Sequence, residues 1–460
     1  MKPLTNVPKP APVYILLVLF LAIYTGVRVL NLSQAVQKVK TTADTTSYMR
    51  ISKEPIFTNK FLVGSRPFIF PLLLKVLGNN AETVVWAQGI FSIVSWSILA
   101  VALASSLHVP VLKFLGFGSI LVFSLYRYIL GWDSVLLTES LSLSLMALFL
   151  ASWLWLIKEW SPGRVAFVLS AGLFWTFARD TNAWVVLMVA LFLLLLIALR
   201  AIDWKYFILS GAFLVMFFLS NLSADFGDRW VFPFQNILGR RILPNAQATH
   251  FFAGCGMPML TELMERAGGY ANSSDRAFYE DPALADYRLW LHEAGKRCYV
   301  KWLLSAPLQS IKAPLAEFNA LISLQNIQPF LFSKKFSPVL PGRLEAILFP
   351  RQGLLVVFAL VSGAVLIAVL TRAWTHNKTW WLVIGMNILI FPHYFITWHG
   401  DVMGIYRHVV SASVQFYLGT WLLVLLVLDS IFSFKGLGQG LAKPLLKSVE
   451  QQRNEISDYR

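Results

Sequence analysis

Residues 13–30 read VYILLVLFLAIYTGVRVL, a run with no charged side chain before Arg28. A helix that crosses the hydrocarbon core of a bilayer needs about 20 mostly apolar residues. The run has that character and lacks the small-residue cleavage site of a signal peptide, so an uncleaved span is expected. Working outward, further apolar runs occupy 83–105, 110–130, 139–157, 164–178, 182–199, 205–222, 352–371, 379–397 and 409–433. The expectation is an all-α polytopic membrane protein with about ten transmembrane helices. The run at 164–178 is short, and Arg127 blurs the end of 110–130.

Composition agrees. The 460 residues are 57% hydrophobic and 14% charged, whereas soluble domains carry about a quarter charged residues. A water-facing surface cannot be built from that inventory, which excludes a soluble multidomain protein. Lys and Arg number 39 against 24 Asp and Glu, a net of +15. In a soluble chain this excess would point to nucleic acid; between spans it marks basic cytoplasmic loops, and no nucleic-acid partner is expected. Two Cys exclude a disulfide framework. The 17 Trp suit interfacial belts, and Trp380, Trp381 and Trp398 are read that way.

Orientation follows from the basic residues. An inside N-terminus places Lys2, Lys9, Lys113, Lys158, Arg164, Arg200, Lys205, Arg372 and Lys378 in cytoplasmic segments, with Lys435, Lys443, Lys447 and Arg453 in the tail. The N-in/C-in arrangement divides the chain into 1–222 (spans one to seven, with a first outer loop at 31–82), an extracytoplasmic helical loop at 223–350, spans eight to ten at 351–434, and a cytoplasmic tail at 435–460. Long loops inside compact folds are usually functional. In the first loop, residues 66–78, RPFIFPLLLKVLG, read as an amphipathic helix in the interface. The second reads as a small helical domain resting on the membrane. It holds Cys255 and Cys298, which form either a disulfide, permitted in an oxidising compartment, or two buried free thiols.

The remaining ionisable residues collect at span ends on the outer face: Asp44 in TTADTTSYM (41–49), Asp133 and Glu139 in GWDSVLLTES (131–140), Arg179 and Asp180 in FARDTNAW (177–184), then His393, His399, Asp401, Arg407 and His408. Charges near membrane depth are costly and are functional hypotheses by default. Each has a plainer reading. Asp44 suits a helix N-cap, Asp133 a loop or cap, and Arg179 with Asp180 an interfacial charge pair. Arg66 and Lys75 suit lipid-headgroup anchors. The spacing of the histidines is not that of a zinc site. Together the set contains what sugar transfer at a membrane requires. A carboxylate takes the acceptor's hydroxyl proton, arginines hold a phosphate, and apolar surface receives the lipid and sugar. No Gly-rich loop is present to hold a nucleotide, so an outward site favours a lipid-linked donor.

These residues resemble the GT-C superfamily of integral-membrane glycosyltransferases, the group of protein mannosyltransferases and aminoarabinose transferases. The likeness lies in the layout and in four patches: Asp44 with Tyr48 after the first span, Arg66-Pro67 opening an interfacial helix, Thr138-Glu139-Ser140 at the mouth of a span, and Asp401 with Arg407-His408 before the last span. The resemblance implies an inverting transferase in a cell membrane, inner or plasma, with its active site on the extracytoplasmic side. It would move a sugar from a polyprenyl-phosphate donor to a hydroxyl of a lipid, glycan or protein. Asp44 would be the base and Glu139 or Asp133 the second acid. Arg407, Arg66 and Arg179 would meet the donor phosphate, with Tyr48, His408, Asp401 and His399 around the cavity. No metal ligand set is implied: Asp44 stands alone where many members carry paired acids, which weakens any metal claim because a divalent ion wants several oxygen ligands, although a divalent cation is left open. Two rival classes are a lipid or glycan transporter, which should show inverted repeats and midplane charges, and a non-catalytic envelope-assembly subunit. No internal repeat is visible.

Overall fold

Inside hydrocarbon every backbone N–H and C=O must be bonded within its own segment, so an apolar run of sufficient length resolves locally to a helix. The computed structural model follows this rule. It describes residues 12–272, 278–324, 327, 339–370 and 377–457; among them there is no β-strand, only an isolated bridge between Lys40 and Val135. Among the described residues seven helices are long and apolar enough to cross a membrane: Ile15–Val36, Ala81–Ser106, Thr138–Lys158, Asp180–Ala198, Trp204–Phe226, Thr379–Gly400 and Val410–Ser433. An eighth arises if the bent pair Pro110–Ser124 and Arg127–Ser134, which meet at 54°, is one span. The runs at 164–178 and 352–371 become helices of 15 and 17 residues, Pro162–Thr176 and Leu354–Leu370, shorter than a usual crossing. The last helix does not stop at the membrane edge: its backbone continues to Ser457, through most of the expected tail.

The Thr138–Lys158 helix is the axis of the bundle and is buried along nearly its whole length. Small side chains allow its neighbours to approach. Ser142, Ser144, Ala147, Ala151 and Ser152 on this helix, with Ser92, Ser95, Ala100 and Ala102 on Ala81–Ser106, are buried. Without a hydrophobic drive between helices in lipid, such close packing is what holds spans together. Large apolar side chains on the rim, among them Ile15, Leu19, Leu195, Phe218 and Leu222, stay exposed, as a lipid-facing surface requires. Trp380 and Trp398 differ from the belt reading: both are buried, at 2% and 7% exposure.

Within the expected loop 223–350, residues between Trp230 and Trp302 build a second, smaller core around Phe234, Leu238, Phe252, Tyr287 and Leu291, whereas Phe318, Leu321, Ile322, Leu348 and Phe349 join the main core. Cys298 belongs to the smaller core and Cys255 packs against it, both as free thiols. Burial, followed by the neighbouring Cys255 thiol, raises the pKa of Cys298. A close backbone approach ties this segment to the first loop. A Cβ on Gly227 would stand 2.3 Å from the Gly64 carbonyl oxygen and 2.6 Å from that of Val63. Arg229 reinforces the same junction, donating to the Gly64 oxygen at 3.1 Å and to both oxygens of Asp180 at 3.0 Å. Gly227→Ala is therefore expected to cost about 1–3 kcal/mol, as overpacking does. Thermal unfolding of detergent-solubilised protein would read this as a fall of several degrees, and an unchanged midpoint would contradict the close approach.

The basic residues Lys113, Lys158, Arg164, Arg200, Lys205 and Lys378 lie at one set of helix ends, and Asp44, Glu139, Arg179, Asp401 and Arg407 lie at the opposite set. Lys2, Lys9 and Arg372, also used for orientation, fall outside the described residues.

Candidate active site

Local structure brings Asp44 to the mouth of the Thr138–Lys158 helix. Lys40 N–H donates to the Ser134 carbonyl at 2.9 Å, and Leu136 N–H to the Lys40 carbonyl at 3.0 Å. Thr45 continues the seam: its hydroxyl donates to the Leu136 carbonyl at 2.9 Å and accepts from Thr42 N–H at the start of the Ala43–Lys53 helix. Asp44 thus lies in that helix's first turn while Glu139 lies in the first turn of Thr138–Lys158. On the other side, Asp401 closes a tight turn. Its Oδ1 accepts from Met403 N–H at 2.9 Å, and Gly404 takes a left-handed φ of +65°, which favours glycine. This turn starts the short Ile405–His408 helix and presents Arg407 and His408 inward.

The result is one continuous network. Asp44 Oδ1 is bound by Arg66 Nη2, and its Oδ2 lies 2.7 Å from Arg407 Nη1. Arg407 Nε stands 3.4 Å from Glu139 Oε1, and Arg179 Nη1 stands 3.4 Å from that same oxygen. Arg179 Nη2 reaches His408 Nδ1 at 3.1 Å, and His408 Nε2 faces Asp401 Oδ2 at 3.6 Å. A guanidinium only donates, so Nδ1 accepts and the neutral ring carries its proton on Nε2, toward Asp401. The ring of Tyr48 lies under the Arg66 guanidinium at 5.3 Å, and Arg66 Nε donates to Ser47 Oγ at 2.8 Å. Asp44, Glu139, Arg407, Arg66, Arg179, Tyr48, His408 and Asp401, drawn from segments hundreds of residues apart, meet in one place.

Burial is graded across the network. The Asp44 side chain is 26% exposed and that of Glu139 only 2%. Glu139 Oε2, Arg179 Nη1 and Arg407 Nε are buried without a hydrogen-bond partner in the protein. Buried polar atoms are nearly always satisfied; here the two nitrogens meet Glu139 Oε1 only as ion-pair contacts at 3.4 Å, and Glu139 Oε2 has no donor facing it. The electrostatics at Asp44 oppose one another. Burial acts to raise the pKa, but Arg407 and Arg66 outweigh it and hold the carboxyl below the ordinary carboxylate range. At Asp401 burial prevails over the hydrogen bonds it accepts, and its pKa is raised. Burial, then Arg407 and Arg179, press the pKa of His408 well down and keep it neutral.

Two expected members lie elsewhere. Asp133 pairs with Arg28 at 2.8 Å and accepts from Ser140 Oγ at 2.6 Å, so its carboxylate is directed away from the network. His399 hydrogen-bonds Tyr299 OH at 3.1 Å and the Ser310 carbonyl at 3.0 Å. Next to it the Arg241 guanidinium covers the Trp398 ring at 3.3 Å. Arg179 and Asp180 are not a pair, since Asp180 belongs to Arg229. Lys75 is not a free headgroup anchor, for it donates to the Ser52 and Glu54 carbonyls at 3.1 and 2.9 Å and closes the Ala43–Lys53 helix. Sequence reasoning missed Asn236, a buried residue of the large loop whose Nδ2 donates to Asp401 Oδ1 at 3.1 Å while its Oδ1 accepts from Ala271 N–H; nothing in its sequence context marks it.

Among the described residues no three His, Cys, Asp or Glu side chains are grouped to hold a metal ion; Asp44 and Glu139 face guanidiniums, and Asp401 faces His408 and Asn236. An apolar cavity lined by Phe149, Trp153, Phe192, Trp381 and Leu382, with Lys378 at its margin, reaches toward the opposite end of the bundle, and no network residue lines it. No protein-family model and no curated protein matches the chain.

Proposed function

We propose that this chain is an inverting membrane glycosyltransferase of the GT-C kind, moving a sugar from a polyprenyl-phosphate donor to a hydroxyl of a lipid, glycan or protein on the extracytoplasmic face. One observation carries the reading: Asp44 sits between the guanidiniums of Arg66 and Arg407, with Glu139 buried behind Arg407. A phosphodiester offers two non-bridging oxygens to such forks, and arginine binds them with fixed geometry. A carboxylate beside that phosphate is placed to take the proton of an incoming hydroxyl. Asp44, open at one edge, is the base. Glu139 is the second acid in the sense of a fixed counter-charge: it orients Arg407 and Arg179 from behind without being exposed to the acceptor. One base acting on the acceptor implies direct displacement at the sugar carbon, and hence inversion. The cluster gathered at helix ends, away from the bundle midplane, supports this reading over a transporter.

The test is to place purified protein in nanodiscs with a panel of polyprenyl-phosphate sugars and follow release of the lipid phosphate and the anomeric configuration of the product. Turnover with inversion supports the proposal; retention, or no turnover across the panel, refutes it. Arg407→Lys is expected to lower kcat/KM by about 10- to 100-fold, because a lysine is a point charge where a fork is needed. Equal activity would remove Arg407 from the donor site.

A further inference from the structure

Both oxygens of Asp44 are occupied, one by Arg66 and the other by Arg407, and these are the cations that the proposed donor requires. A carboxylate so held is a poor base, and arginines so held are only half available to a phosphate. We propose that the two functions are mutually exclusive by design: the donor's phosphate displaces the Asp44 carboxylate from Arg66 and Arg407, and this displacement arms Asp44. The inference rests on the reading of this site as a lipid-phosphate sugar transferase and concerns how it is switched on.

The physical basis is competition for a fixed set of donors. The charged and titratable groups facing Asp44 are Arg66 from the loop before the Ile69–Val76 helix, Arg407 and His408 from the Ile405–His408 helix and Tyr48 from its own helix, with Glu139 of Thr138–Lys158 behind Arg407 and Tyr48. Burial favours the protonated carboxyl, and Arg407 and Arg66 oppose it. Once a phosphate engages those guanidiniums their attraction is spent elsewhere and burial remains, so the proton affinity of Asp44 rises when acceptor chemistry becomes due. Without donor, the carboxylate stays locked. Behind Asp44, Arg407 Nε and Arg179 Nη1 face Glu139 Oε1 at 3.4 Å, so Arg407 keeps a counter-charge when its Nη1 turns from Asp44 to the phosphate.

Linkage fixes the sign. At pH below the raised pKa, binding of the anion is accompanied by proton uptake at Asp44, so the anion binds more tightly as pH falls; above it the released carboxylate stays ionised and is the free base. Removing the carboxylate's charge relieves the competition. The probe is geranyl methyl phosphate, a lipid phosphodiester whose own charge is constant across the range, with dimethyl phosphate as the tail-less control. Binding is measured by calorimetry on the full-length protein in nanodiscs. For the wild type, affinity should rise several-fold between about pH 7.5 and pH 5. Asp44→Asn should bind the probe about tenfold more tightly than wild type near pH 7.5, the scale of one charge-assisted hydrogen bond, and should lose the pH dependence while losing transfer. Dimethyl phosphate should show the same pattern more weakly if the arginine site does the work, and an equal affinity for it would show that the site reads the phosphodiester without its tail and overturn the lipid-linked donor.

Outcomes separate the gate from the site. If Arg66→Gln and Arg407→Gln both leave probe affinity unchanged, or the wild type does not bind the probe, the donor-site reading falls and the gate with it. If binding depends on those arginines but Asp44→Asn binds no better than wild type, the gate alone is overturned. The same holds if the pH dependence survives in Asp44→Asn, because His408 would then be taking the proton. Should Asp44→Asn fold poorly, the wild-type pH dependence remains decisive: a flat profile overturns the gate.

Discussion

Asp44→Asn is expected to abolish sugar transfer, lowering kcat by about 10²- to 10⁴-fold, the usual contribution of a positioned general base. The amide retains the shape of the carboxylate and can still accept from Arg66 or Arg407, but it cannot take a proton. Structure should survive. The Asp44 side chain is partly exposed, where ion pairs contribute little to stability, and the seam that places its helix runs through Thr45, Lys40 and Leu136. The unfolding midpoint should therefore lie close to the wild-type value while turnover collapses. A variant that folds normally and transfers sugar at full rate would end the assignment. The pH profile adds a second criterion. In the resting protein Asp44 is ionised because Arg407 and Arg66 hold its pKa down against burial. The acid limb of kcat/KM, which reports the free enzyme, should therefore lie below the ordinary carboxylate range. The acid limb of kcat, which reports the complex, should lie at higher pH.

The apolar runs could be read from sequence because a bilayer demands length and composition, and both are local properties. Their ends could not. Residues 110–130 look continuous, yet the helix breaks after Ser124 and resumes at Arg127 with a 54° bend. Arg127 reaches Glu345 at 2.9 Å, a partner more than two hundred residues away. The same distinction governs the site. Asp44, Glu139, Arg179, Asp401 and Arg407 were legible because a charge beside an apolar run is expensive and must have a use. The direction of each side chain was not. His399 and Asp401 are neighbours in sequence, but a helix end separates them: one ring turns to Tyr299, while the other carboxylate turns to His408 and Asn236. Arg179 and Asp180 diverge in the same way at a helix start. Arg28 is the lone charge inside the first run, and an arginine there requires a buried anion; which of the acids supplies it is decided by the fold, and Asp133 does so.

Arg28→Leu is expected to be the most destabilising single change in the bundle. The guanidinium, 2% exposed, donates to Asp133 Oδ2 at 2.8 Å, to Ser92 Oγ at 2.7 Å and to the Ser124 carbonyl at 2.9 Å. It thereby joins the first span to the Ala81–Ser106 helix, the Pro110–Ser124 helix and the turn holding Asp133, which itself accepts from Ser140 on Thr138–Lys158. Removing one partner of a buried pair leaves the other as an uncompensated charge, at a cost of about 3–5 kcal/mol. Replacing both by apolar residues of similar volume removes that cost and is often neutral. The double variant Arg28→Leu with Asp133→Leu should therefore recover most of the stability lost by Arg28→Leu alone, and a double-mutant cycle in a mild denaturing detergent would measure the coupling. Additive losses, with no recovery, would show that the two side chains act independently and would contradict the pairing. The same double variant decides between the two acids that the sequence left competing. If Asp133 only neutralises Arg28, the refolded double variant keeps its transfer activity, whereas Glu139→Gln, which leaves Arg407 and Arg179 without their shared counter-charge, loses most of it. The opposite pattern, activity lost with Asp133 and kept without the charge of Glu139, would move the second acid to Asp133 and detach Arg28 from a purely structural role.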